Sequence, residues 1–546
     1  MSRPTLGASA AVVALMAVAS GCTSGAGGGR PSTPAAETFA QTVCGLPHEW
    51  LLRTWRGWRA DRGGEVQILP REFSLIDEGL PHVGPWDYAQ RIPMLWYGPG
   101  VVPASPINHD PVTLADIAPT QAALLRYRGF RAPDGRAMLR GIPGGDLPRL
   151  LVVIVWDAVG TDVLERWPDT WPYLGSIRSD GAWFAEATVG SSPTQTAQSH
   201  ATIGTGAFPR THGVLAHRLR VDGAMTTPWA EGSSTLDVPT LGDVYDRSKD
   251  NASQVGVVAT LTIHLGMLGR GAAEGGGDRD IAMLHEADEA TTLGQEGTTW
   301  NLQPAVAGDY RIPRWANDVP GFAADVDRLD RADGQRDGRW GDDDISQLLQ
   351  GWDTPARIPY QTRTIEELID REGFGADPVP DLLFVNYKVT DYVAHTWGIG
   401  SPEMRDSLLA QDAALRDLVA SLDEQVGPGR WAFVLTADHG AAPSPSESGG
   451  TVISSARLSA AVEAAFDDDG DHTSVVDLVQ ATEIYLNVDE LAANGHDVDE
   501  VASFVAGLTA GEVAAEGQAA SADQRVFRAA YPSTILTDLP CLPGAA

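Results

Sequence analysis

The chain has 546 residues, with 39 Lys and Arg against 73 Asp and Glu, a formal charge of −34. That balance excludes a protein that grips duplex nucleic acid, because no surplus of cations exists to neutralise phosphates, and it disfavours a polybasic hold on anionic lipid. Hydrophobic residues make up 43%, enough for a sizeable core, and the length suits several average domains or one large α/β domain with insertions.

The first 21 residues read as an export signal. Arg3 precedes the apolar run Ala8 to Ala19, which is too short to span a bilayer. Ser20 and Gly21 then stand before Cys22 as small residues stand before a bacterial lipoprotein cleavage site. On this reading Cys22 is acylated, and the protein is exported to the outer face of the bacterial cell membrane or secreted. Residues 22–43, rich in Gly, Ser, Thr and Pro, are expected to be a flexible tether. Residues 44–546 are expected to form one domain. Its two cysteines, Cys44 and Cys541, open and nearly close it, and in an exported chain they are expected to pair.

Three apolar runs follow in chain order. Leu150 to Trp156 leads to Asp157, Leu382 to Tyr387 leads to Asp391, and Ala432 to Thr436 leads to Asp438. Continuous runs of this length predict buried strands of a parallel sheet. Helical patterns lie between them, such as Ser407 to Gln425, so the fold class expected is α/β, doubly wound, with helices on both faces. Residues 218–375 are less regular and are expected to include a cap-like insertion. In doubly wound folds ligands sit beyond the carboxyl ends of the strands, which is where the three Asp residues fall. Asp391 and His395 are four apart and can reach one cation from one turn of helix. Asp438 and His439 directly follow a strand, and Gly440 permits a sharp turn. Carboxylate with imidazole suits Zn²⁺, with Mn²⁺ and Fe as competitors. Asp467, Asp468 and Asp469 read as a solvated surface loop.

Between the first two strands stands Gly190-Ser-Ser-Pro-Thr-Gln-Thr-Ala-Gln-Ser-His-Ala-Thr-Ile-Gly-Thr-Gly206, then Ala-Phe-Pro-Arg-Thr-His-Gly213. Here the chain resembles the alkaline phosphatase superfamily, most closely its phosphodiesterase and nucleotide pyrophosphatase branch. That branch carries a Thr nucleophile before a helix, then T-G, then P-x-x-H-G. Counting back from Thr205-Gly206 puts the nucleophile at Thr196 rather than Thr194. The resemblance implies two divalent cations, one among Asp157, Thr196, Asp438 and His439 and the other on Asp391 and His395, with a phosphothreonine intermediate.

The second cation still needs a ligand, which the family supplies as a His late in its sequence. Here the matching pattern stands near the start, in Gly79-Leu-Pro-His82-Val-Gly-Pro-Trp-Asp87 and the strand pattern after it. The resemblance therefore implies a circular permutation. Residues 64–127 would be the displaced C-terminal segment, 150–217 the nucleophile segment and 376–546 the remaining ligand segment. The rival is an unpermuted fold that uses His472 behind a separate N-terminal domain. Asp87 is expected to order the His82 loop. His217 stands where relatives carry an Asn that touches a phosphoryl oxygen, and His200 and His212 are expected to be structural. Residues 255–270 lack the K-x-R pair of monoesterase relatives, which favours a diester or pyrophosphate, from a small molecule, lipid or glycan. A phosphomonoesterase, an envelope phosphoryl transferase and a non-catalytic surface lipoprotein remain open.

Overall fold

Leu150–Trp156 holds seven residues without one charged side chain, so a strand there must be covered on both faces. The computed structural model describes residues 39–542 apart from 78–81, 231, 233–234, 286–299, 352–353, 517–520 and 540. It makes this run the middle of a nine-stranded sheet. The expected export signal and Cys22 lie outside the described residues.

In chain order the sheet's strands are β1 (Met94–Tyr97), β2 (Ser105–Asn108), β3 (Leu150–Trp156), β4 (Ala182–Phe184), β5 (Val255–Val258), β6 (Asp280–Met283), β7 (Tyr310–Arg311), β8 (Asp381–Tyr387) and β9 (Trp431–Thr436). Across the sheet they lie in the order β7-β6-β5-β8-β3-β9-β1-β4-β2. Pairing is parallel from β7 through β9. Only β1 runs against its neighbours, β9 on one side and β4 on the other. The three apolar runs are thus adjacent strands, β8-β3-β9, and their carboxyl ends lie side by side.

Alternation along β3 divides the core in two. Leu150, Val152, Ile154 and Trp156 pack with Leu415, Leu418 and Leu422 of the helix Pro402–Gln425. Leu151, Val153 and Val155 face the opposite way, against Ile117 of the helix Ile117–Leu124 and Ala197 and Ala201 of the helix Thr196–Thr205. Each such side chain contributes about 1.5–3 kcal/mol by leaving water. A carboxylate at Val153 would be buried without a partner, which is the costlier error.

A second sheet joins distant parts of the chain. Val66–Pro70 lies between Glu483–Leu486 and Phe527–Pro532, antiparallel to both, and Val476–Gln480 forms one edge. Beside it Cys44 and Cys541 are joined by a disulfide, with their Cα atoms 5.7 Å apart.

Two expected boundaries move. The last residues of the expected tether, from Phe39, belong to the helix Phe39–Cys44, because Val43 is buried in a core with Leu51, Leu539 and Leu542. Part of the expected cap-like region, residues 218–375, is central sheet: β5, β6 and β7 extend it beyond β8, driven by buried runs such as Val255–Val258 and Asp280–Met283.

Candidate active site

The carboxyl ends of β8, β3 and β9 deliver the acidic groups to one place. Asp157 follows β3, and its Oδ2 accepts a hydrogen bond from Asn386 of β8 at 2.8 Å. Asp438 follows β9, and its Oδ1 accepts from the backbone N–H groups of Ala158 at 3.2 Å and His439 at 3.0 Å. The next residue, Gly440, is required for space: a Cβ there would lie 2.1 Å from the Tyr88 carbonyl oxygen. The helix Val389–Thr396 sets Asp391 and His395 on one face, His395 Nε2 lying 3.3 Å from Asp391 Oδ1.

Thr196 is the first residue of a helix whose ten residues are all buried. The helix ends at Gly206, which takes a left-handed conformation with φ of 64° that favours glycine. This accounts for the Thr-Gly step used to find the nucleophile position.

His82 arrives from the N-terminal segment. Its Nδ1 donates to the Thr194 carbonyl at 2.8 Å, which turns the Nε2 lone pair inward. Nε2 lies 3.1 Å from His395 Nε2 and 3.7 Å from Asp391 Oδ1, and the ring stacks on His439 at 3.8 Å between centroids. His439 is set in the same way, with Nδ1 donating to the Gly440 carbonyl at 3.1 Å.

Three groups of metal-ligand type result among the described residues here: Asp157 with Asp438 and His439, His82 with Asp391 and His395, and Asp157 again with His200 and His264. Within each, the ligand atoms lie no more than 4.8 Å apart. Asp438 Oδ2, His439 Nε2 and Asp391 Oδ1 are buried with no hydrogen-bond partner. Orphaned polar atoms of this kind are costly unless a cation satisfies them. The first two groups, which hold these atoms, therefore fit a divalent cation.

Lys388, at the start of the Asp391 helix, is the residue that sequence reasoning missed. It is only 5% exposed. Its Nζ donates to Thr196 Oγ1 at 2.9 Å and to Asp157 Oδ1 at 3.0 Å, and forms an ion pair with Asp391 Oδ2 at 2.7 Å. Its one signal in the sequence was a cation placed directly after a buried strand.

The charges act on one another strongly. Burial alone would raise the pKa of Asp157 and Asp391, but the Lys388 ammonium outweighs it and holds both carboxyls below the usual range. Asp438 is pushed well up by burial and by the Asp157 charge. Burial opposes the charge on Lys388, yet Asp157, Asp391 and Asp438 keep it above the ordinary ammonium range. Burial lowers His82 and His439, so both stay neutral and can offer lone pairs.

The other expected residues divide. His217 is held by its backbone N–H to Gln195 Oε1 at 3.2 Å, and its Nε2 is buried without a partner. Burial, then the Lys388 charge, lowers its pKa to about 3. His200 donates from Nδ1 to the Thr196 carbonyl at 2.7 Å, and its Nε2 accepts from Asn386 at 3.0 Å, so it steadies the Asp157 side of the site. His264 stands close by, with Nε2 3.8 Å from Asp157 Oδ2. His212 is buried and bonded to Thr202, a structural role. Asp87 does not touch His82: it accepts from Arg53 at 2.9 Å and is largely exposed, while Thr194 orders the His82 loop. His472 is exposed and contributes nothing here. A small cavity of about 10 Å³, room for a single water, lies beside Lys388, lined also by Thr260, His285, Arg357 and Tyr392.

A family model described as type I phosphodiesterase / nucleotide pyrophosphatase matches residues 151–536. The chain is 26% identical over 343 residues to a Myroides odoratus protein named as a calcium-transporting ATPase, covering 55% of this chain and 61% of that one. It is 26% identical over 347 residues to alkaline phosphatase PafA of Elizabethkingia meningoseptica, covering 54% and 60%. These matches span about three fifths of the curated relatives' length. A crystal structure of a PafA variant shares the fold, with a TM-score of 0.51 at 19% identity over 67% of this chain and 77% of that one.

Proposed function

The chain belongs to the type I phosphodiesterase / nucleotide pyrophosphatase family, and from that premise we propose that it hydrolyses phosphoric esters through a phosphothreonine at Thr196. The observation that carries the reading is the place of Thr196 Oγ1. It lies at the first turn of a buried helix, 2.9 Å from a buried ammonium, beside carboxylate and imidazole groups with unpaired atoms.

In the first step Thr196 Oγ1 bonds to phosphorus and the bond to the leaving oxygen breaks. The Thr196 proton passes, through solvent, to the departing alkoxide. In the second step water bonds to phosphorus, the Thr196 ester breaks, and one proton of that water restores the Thr196 hydroxyl. The balance is ester and water in, alcohol and phosphate out. Asp157, Asp438 and His439, with Thr196, would hold one divalent cation, and His82, Asp391 and His395 the other, with Zn²⁺ suiting these donors and Mn²⁺ or Fe as alternatives. Bound there, the cations supply charge that acidifies a hydroxyl and neutralises phosphoryl oxygens. Lys388 holds Thr196 Oγ1 in place, and the neutral imidazoles of His82 and His439 are fixed through their Nδ1 hydrogen bonds.

Two ester classes divide the reading. The family's description speaks for a phosphodiester or pyrophosphate. The sequence argument for that class was the missing cationic pair in residues 255–270. Lys388 brings a cation to Thr196 from another element, and this favours a second reading, a phosphomonoester. The wider proposal keeps export and lipidation at Cys22. It also keeps the circular permutation, supported by the meeting of His82 with His395 and by the pairing of β1 with β9.

The test is an acid quench during turnover of a chromogenic phosphoester, followed by peptide mass spectrometry. A phosphoryl group on Thr196, absent from Thr196→Ala and from chelated protein, supports the reading. Full activity in Thr196→Ala overturns it. Transfer of the phosphoryl group to an added sugar or lipid in preference to water would make the protein a transferase, and silence with bound cations would make it a binding protein.

A further inference from the structure

We infer that Lys388 is a fixed third cation of the reacting centre, and that it selects the doubly charged phosphoryl group of a monoester over the singly charged group of a diester. The inference rests on Thr196 being the nucleophile.

The geometry of Lys388 is that of a working group. Its ammonium donates to Asp157 and to the Thr196 hydroxyl and pairs with the Asp391 carboxylate, so it meets one carboxylate of each ligand group. A buried ion pair is weak evidence for stability, because an apolar side chain of similar volume often serves as well or better. A lysine carried to this point therefore calls for a functional reason.

Lys388 leaves part of each ligand group open. It takes Asp391 Oδ2, while Oδ1 faces His82 Nε2 at 3.7 Å and His395 Nε2 at 3.3 Å. Asp438 Oδ2, His439 Nε2 and Asp391 Oδ1 all stay unpaired with the lysine in place. The ammonium thus stands between the two donor sets, sharing Asp157 Oδ1 and Thr196 Oγ1 with the first, and supplies a positive charge of its own.

Charge decides the substrate class. The attraction between a fixed cation and a phosphoryl group scales with the charge on that group. A monoester near neutral pH carries up to two negative charges, and a diester one. Lys388 is thus a fixed cation beside the Thr196 hydroxyl in a chain whose formal charge is −34.

The experiment uses the chain from Thr23 onward, loaded with Zn²⁺, as wild type, Lys388→Met, Lys388→Arg and Thr196→Ala. It measures kcat/KM for an aryl phosphate monoester and the matching diester, metal content by atomic emission, and inorganic phosphate binding by calorimetry in the Thr196→Ala background. The wild type is expected to prefer the monoester. Lys388→Met is expected to lose about 100-fold on it, at least about tenfold more than it loses on the diester. Phosphate binding in Thr196→Ala should weaken about tenfold or more when Lys388→Met is added. Lys388→Arg should fold, keep the charge and retain most of the selectivity, which keeps the test decisive if Lys388→Met does not fold. A wild type that prefers the diester, equal losses on both esters, or unchanged phosphate affinity overturns the inference. So does a Lys388→Met protein that binds one more ion than the wild type, since the lysine would then be a stand-in for metal. Activity in Thr196→Ala sinks the nucleophile reading instead, whatever Lys388 does.

Discussion

His82 Nε2 lies 3.1 Å from His395 Nε2, although 313 residues separate them in the chain. With an unpaired Asp391 oxygen beside these two imidazole nitrogens, the proposed site would use His82 as a ligand of the same cation as Asp391 and His395. His82→Ala is expected to lose one bound divalent ion per chain. Its activity should fall by more than the 10–100-fold that removal of a supporting group costs. His472→Ala, on an exposed loop, should change neither metal content nor rate. Atomic emission and a steady-state assay on both variants check this, and the opposite pattern would restore the unpermuted arrangement.

Asn386 supports the other side of the site. Its amide donates to Asp157 Oδ2 at 2.8 Å and to His200 Nε2 at 3.0 Å. Asn386→Ala frees Asp157 to turn and leaves His200 without that donor. Metal affinity or activity should drop about 10–100-fold, as for other groups that orient ligands. A chelator titration against the wild type measures it. No change would mean that the strand backbone alone orients Asp157.

The disulfide closes nearly the whole chain, with a sequence separation of 497 from Cys44 to Cys541. Closing a long loop restricts the unfolded ensemble, and native disulfides commonly contribute about 2–4 kcal/mol. Cys44→Ser with Cys541→Ser should shift the urea midpoint down accordingly, with the assay rate retained at low temperature because neither residue touches the site. An unchanged midpoint would place the opening events of unfolding away from the chain ends.

One stability effect lies away from the site. Burial, then the nearby Asp278 charge, pushes the Asp246 carboxyl up to about 7, against about 4 in an unfolded chain. Its neutral form therefore favours the fold below pH of about 4, and that contribution is lost as pH rises through about 7. Asp246→Asn cannot ionise. It should match the wild type's melting temperature near pH 4 and exceed it at pH 8. A constant gap across that range would show that burial of Asp246 does not depend on its charge.

The three central strands were legible because each is an unbroken apolar run. The ligand set was legible because Asp157, Asp391 and Asp438 each follow such a run, and because Thr196 and His82 fall in motifs of fixed spacing. Lys388 was not, because a lone lysine after a strand reads as a solvated terminus until the partners of its Nζ are known. Strands β5 to β7 were hidden for another reason: they are short, and Asp280, which opens β6, is buried by its neighbours rather than by its own chemistry. Asp87 misled because an acidic residue close to a ligand His suggests contact. The backbone carbonyl that holds His82 belongs to Thr194, whose side chain also donates to the His82 carbonyl.

The lone reversed strand has a consequence for how the molecule comes into being. Met94–Tyr97 is made early, yet one of its two neighbours in the sheet is Trp431–Thr436, which is made late. Until that strand emerges, one edge of the early strand has no partner, and His82 has no His395 to meet. Pairings so distant in sequence make for slow assembly. The central sheet therefore cannot close until the chain has been made as far as Thr436.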